Sequence, residues 1–136
     1  VLAKKTSGTS GRPAVLLLHG KGGSPAGSVK KLQSALERSW AGVEYFRPAL
    51  PHNDPKAPAE RSIEFLRNAI IPQKAFLVGI SLGGLVAAKL QEARTDLTVV
   101  AISAPTFADG ITLEGSARNR LALYSSSDEV IAGRTA

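Results

Sequence analysis

Ala75-Phe-Leu-Val-Gly-Ile-Ser-Leu-Gly-Gly-Leu85 runs an apolar stretch into a tight turn and straight out into a second apolar stretch. Within it, Gly79-Ile80-Ser81-Leu82-Gly83 is a G-x-S-x-G pattern placed after a strand and before a helix that starts at once, the setting in which that pattern forms a nucleophile elbow. A serine on such a turn is held in a strained backbone conformation, and small neighbours at Gly79 and Gly83 let strand and helix approach closely around it. The helix beginning at Leu82 aims backbone N–H groups at the same spot, where they can hold a negative oxygen. The alternative is a glycine-rich strand-to-helix turn with an incidental serine.

Moving outward, the same alternation of strand and helix continues in both directions. Ala14-Val-Leu-Leu-Leu18 is a short continuous apolar run, the pattern of a strand buried on both faces. Over residues 26–40, Val29, Leu32 and Leu36 recur at helical spacing, with Lys30, Lys31, Glu37 and Arg38 on the outer side. Residues 43–46 form a second short strand, residues 47–58 with their four prolines an irregular loop, and Ile63, Leu66 and Ile70 a helix that Pro72 ends. Residues 75–78 are the third strand, 85–93 a helix, 97–102 a fourth strand rich in β-branched residues and 121–124 a fifth. This order specifies an α/β fold: a mainly parallel sheet of about five strands, helices on both faces, and functional loops beyond the carboxyl ends of the strands. The chain reads as one domain, 1–136, with residues 1–12 a flexible Gly- and Ser-rich lead-in.

Composition narrows the function classes. Hydrophobic content of 43% and charged content of 21% suit a globular chain, and no apolar run approaches the roughly 20 residues that cross a bilayer. Without cysteine there is no disulfide, thiolate or Cys-based zinc chemistry, and no metal-ligand spacing occurs, so neither metal nor cofactor is implied. The net charge of +6 is spread along the chain, which suits a basic surface better than an anion-binding patch. With aromatics at 5%, there is no stacking platform for nucleic acid. No charged-then-apolar leader is visible, and the expectation is a cytoplasmic protein, although the chain opens at Val1 and contains no methionine. The oligomeric state is left open.

A second signal is His19-Gly20-Lys21-Gly22-Gly23 after the first strand, and a third is Ser127-Asp128-Glu129-Val130 after the fifth. Together with the serine elbow, these motifs resemble the α/β-hydrolase superfamily over residues 14–131, with small carboxylesterases and dienelactone hydrolases nearest in architecture. The resemblance implies Ser81 as nucleophile, the backbone N–H groups of Lys21 and Leu82 as oxyanion hole, and His19 with Gly20 as organisers of the loop. It also implies Asp128 as the acid that orients a catalytic histidine, with Asp109 in reserve and Glu129 next. A dinucleotide fingerprint at Gly20-Lys-Gly22 fails, because Pro25 stands where the third glycine belongs and no acidic residue ends the next strand.

One part of the family pattern is missing: the histidine should follow Asp128 after a further helix and strand, and none stands there. His52, in Pro51-His-Asn-Asp-Pro55, lies near the carboxyl edge, but chain order argues for a surface or pocket-lining role. The base is therefore expected outside these 136 residues. The resulting expectation is a serine hydrolase cleaving an ester or similar acyl bond of a small-molecule substrate, since residues 105–119 are too few for a large lid. The competing class is a non-catalytic α/β-hydrolase-like domain that binds a ligand or partner. A nucleotide-binding domain, resting on the glycines after the first strand, comes third.

Overall fold

Leu16, Leu17 and Leu18 have no exposed surface at all, which only a strand covered on both faces achieves. In the computed structural model, which describes residues 12–108, 110–113 and 118–124, this strand is β1 (Ala14–Leu18). It is followed by α1 (Ser28–Ser39), β2 (Glu44–Phe46), a 3-10 turn (Pro51–Asn53), α2 (Ala59–Arg67), β3 (Phe76–Ile80) and α3 (Leu82–Ala93). Then come β4 (Thr98–Ile102), the two-residue strands β5 (Phe107–Ala108) and β6 (Ile111–Thr112), and β7 (Arg120–Leu123).

Five strands form one sheet in the order β2-β1-β3-β4-β7, and every pairing is parallel. Alternation along β1 divides the core. Val15 and Leu17 pack with Val29, Leu32 and Leu36 of α1 on one face. Leu16 and Leu18 join Ile63 and Leu66 of α2 and Leu85, Val86 and Leu90 of α3 on the other. The α/β architecture with helices on both faces is thus the one the sequence specifies.

The boundaries shift for identifiable reasons. β3 extends to Ile80 because its whole length pairs with Thr98–Ile102, and α3 starts at Leu82, with Gly83 and Gly84 helical and buried. α2 ends at Arg67, leaving Ile70 outside the helix and 58% exposed, not on its apolar face. The proline-rich loop contains the 3-10 turn, and residues 105–119 hold the antiparallel β5–β6 hairpin, too short to leave a period in the sequence.

The buried Gln91 ties α3 to the sheet edge. Its amide nitrogen donates to the carbonyls of Leu97, Arg118 and Asn119, while its oxygen accepts from Arg120 Nε at 2.9 Å. Arg120 also donates to the Ala88 carbonyl, which anchors β7 to the helix behind it. Among the described residues, no helix is long and apolar enough to cross a membrane.

Candidate active site

A single residue, Ser81, separates β3 from α3, so the chain must turn from strand to helix within one step. It does this at φ 55° and ψ −123°, a left-handed conformation that costs a non-glycine residue about 1–3 kcal/mol. The turn is feasible because its neighbours lack side chains. A Cβ at Gly79 would collide with the Gly83 carbonyl, and one at Gly83 would strike the backbone of β1, at 2.6 Å from His19 O. The start of α3 therefore lies directly against the end of β1.

The Ser81 amide donates to Ile102 O at 2.8 Å, fixing the elbow to the end of β4, and the residue itself is exposed. The first amide of α3 to find a helical acceptor is Gly84, bonded to Ser81 O at 2.9 Å. Leu82 N–H thus belongs to the open end of the helix, with its side chain buried in the core.

The loop after β1 reaches the same place. A Cβ built on Gly20 would stand 3.4 Å from Ser81 Cβ and 3.9 Å from its Oγ, so Gly20 passes close beside the serine. A tight turn follows, closed by Gly23 N–H to Gly20 O at 3.0 Å, with Gly22 at φ 75°. Lys21 sits at the head of this turn and is exposed.

His19 is buried, 2% exposed, and both ring nitrogens are engaged. Leu50 N–H donates to Nε2 at 3.0 Å, which makes that nitrogen the acceptor. Nδ1 therefore carries the proton and donates to Gly20 O at 2.8 Å. With both nitrogens engaged, the ring bridges the Gly20 carbonyl and the Leu50 amide and is not placed as a proton acceptor for Ser81.

His52 departs from expectation. It neither faces solvent nor lines a pocket: it is fully buried. Its Nε2–H donates to the His19 carbonyl at 2.7 Å, and its Nδ1 accepts from the Ser62 hydroxyl at 2.7 Å. The two rings meet edge to face, with centroids 4.9 Å apart. Sequence reasoning missed Ser62 altogether, because nothing in a helix of alternating charge and apolar residues distinguishes a serine that caps an imidazole from one that faces water. The chain's two histidines are thus both held by internal partners.

The structure thus brings Ser81, Leu82, Gly79, Gly83, His19, Gly20 and Lys21 into one cluster at the carboxyl ends of β1 and β3. Asp128, Asp109 and Glu129 lie outside the described residues. Among the described residues, no group of three or more His, Cys, Asp or Glu could hold a metal ion.

Among the described residues, the carboxyl with the largest depression of its pKa stands at the opposite end of the sheet. Asp96 accepts from Arg94 Nε at 2.8 Å and from Lys74 N–H at 2.8 Å, and the guanidinium holds its carboxyl well below the usual carboxylate range. Arg94 reaches on to the carbonyls of Ile71 and Pro72, clipping the two loops that precede β3 and β4.

Comparison with known proteins places the fold. Among solved structures, a candidate hydrolase of the α/β superfamily from Xanthomonas campestris pv. campestris superposes with a TM-score of 0.67 at 24% identity, covering 90% of this chain and 76% of that one. The ydeN gene product of B. subtilis gives 0.68 at 18% identity, over 88% and 74%. Est1E from Butyrivibrio proteoclasticus, solved with ferulic acid bound, gives 0.52 at 16% identity, and the chain covers 43% of its length. At these identities the likeness shows the α/β-hydrolase fold. No curated protein matches the chain. Residues 14–131 match the uncharacterised protein family UPF0227, so the chain belongs to that family and builds it on the α/β-hydrolase fold.

Proposed function

We propose that the protein is a serine hydrolase that cleaves an ester or similar acyl bond of a small molecule, with Ser81 as nucleophile. The observation that carries this reading is the exposed Ser81 at φ 55°, set at the open end of α3 and pressed against Gly20. Residues held in such strained conformations cluster at active sites, where the surrounding structure over-determines them. Ser81 Oγ attacks the acyl carbon as its proton passes to a base, and the carbonyl oxygen becomes an anion facing the amides of Leu82 and Lys21. Two such preset donors contribute roughly 3 kcal/mol each to the transition state. The tetrahedral intermediate collapses, the alcohol leaves with the proton, and water then releases the acyl group by the same steps in reverse. In this reading the base is a histidine oriented by Asp128, a role that His19 and His52, both committed to internal partners, do not fill.

The commitment of both histidines also favours a second reading, an α/β-hydrolase-like domain that binds a small ligand or partner without turnover. Hydrolysis of short-chain p-nitrophenyl esters by the full-length protein, beside Ser81→Ala, separates the two. Activity that disappears in the variant supports the hydrolase. A folded protein that neither turns over these esters nor reacts with a fluorophosphonate at Ser81 favours the binding domain.

A further inference from the structure

His52 touches the loop after β1 twice. Its ring Nε2–H donates to the His19 carbonyl at 2.7 Å, and its own carbonyl accepts from Gly22 N–H at 2.9 Å. The two anchor points lie on either side of Gly20 and Lys21, the residues that pass the nucleophile. Ser62, on α2, fixes the ring in turn. One hydroxyl accepts from His52 N–H at 3.2 Å and donates to Nδ1 at 2.7 Å, which sets both the backbone and the rotation of the imidazole. His52 and Ser62 are both fully buried.

A leucine would fill the same volume, so packing does not explain an imidazole here. The His19 carbonyl lies at the crossing of β1 and α3, where a Cβ on Gly83 would come within 2.6 Å of it. Cut off from water, that carbonyl needs a donor, and an orphaned buried carbonyl costs about 1–3 kcal/mol. The same bond decides where the next two residues go.

Resting on the serine-hydrolase reading, we propose that His52 and Ser62 are positioning residues, a buried clamp that holds the Lys21 amide at the distance from Ser81 that oxyanion binding requires. The clamp acts through the backbone of residues 19–22 and touches no substrate. Its effect is on kcat, because a developing oxyanion needs the amide in place while the ground-state ester does not.

The test uses the full-length protein and p-nitrophenyl acetate, with kcat, KM and thermal melting measured for each variant. Ser62→Ala is expected to lower kcat by about 10- to 100-fold with KM changed less than about twofold, the scale of a misplaced oxyanion donor. Ser62→Thr, which keeps the hydroxyl, restores kcat to within about threefold of the wild type. His52→Gln, which can present a donor near Nε2, retains more activity than His52→Leu. If Ser62→Ala melts lower yet keeps its kcat, or if Ser62→Thr restores nothing, the clamp is structural only and the proposal falls with the hydrolase intact. If the wild type shows no Ser81-dependent turnover, the hydrolase reading falls and takes the clamp's purpose with it.

Discussion

The two ends of the sheet are held by opposite means. At the amino ends of β3 and β4, an Arg94–Asp96 ion pair, about one third exposed, closes on the Lys74 amide and two loop carbonyls. At the carboxyl ends, two buried imidazoles and a serine hydroxyl hold the loop that faces the strained elbow. Charge in contact with water can be rearranged by salt and pH at modest cost, whereas neutral hydrogen bonds inside the core are lost only with their partners stranded. The buried network stands at the end that carries Ser81, and the exposed ion pair at the other.

That contrast can be broken most severely at the elbow. Replacing Ser81 with glycine removes the proposed nucleophile and the left-handed strain together. Ester hydrolysis should fall at least about 10³-fold while urea denaturation shows a gain of about 1 kcal/mol. A variant that loses activity without gaining stability would show that the elbow stores no strain. Gly83→Ala drives a methyl group into the carbonyls at the end of β1, and we expect a loss of about 3 kcal/mol by the same measurement.

The opposite end should respond more mildly and with a pH signature. Because the folded state depresses the Asp96 pKa, its contribution is fully present above the ordinary carboxylate range and is lost as pH falls through and below about 4. Asp96→Asn should therefore cost about 1 kcal/mol at pH 7 and progressively less toward pH 3, read from urea midpoints at the two pH values. The smallest effect is expected from salt. Raising sodium chloride to about 0.5 M should shrink the Asp96→Asn difference by a few tenths of a kcal/mol and leave the Ser62→Ala difference unchanged. Equal salt sensitivity at both ends would abolish the distinction.

Much of this molecule can be read from its residues, and the exceptions share a cause. β1 falls on Ala14–Leu18 as its apolar run requires, and the elbow stands where the glycines of 79–83 put it, since both signals are local. The burial of His52 is not local. It depends on the His19 carbonyl as an acceptor and on Ser62 as a cap, partners 33 and 10 positions away. Polar residues in a proline-rich loop read as surface until the fold supplies such partners. Ile70 errs in the other direction, an apolar residue at helical spacing that the helix does not reach. Asp128, the proposed acid, lies outside the described residues, and its role rests on the family likeness.

The crossing of α3 over β1 also bears on the order of assembly. Strand, turn and helix from Phe76 to Ala93 are neighbours in sequence and can associate early. Yet the elbow is finished only when β1 arrives, and β1 pairs in parallel with a strand roughly 60 residues further on, Val15 beside Phe76. Such a long-range contact closes late, since the chain must lose the entropy of the intervening loop before the pairing repays it. A chain emerging from denaturant is thus expected to have its turn and its helix before the elbow meets β1. The rate at which a fluorophosphonate labels Ser81 during refolding would time the closing of the central sheet.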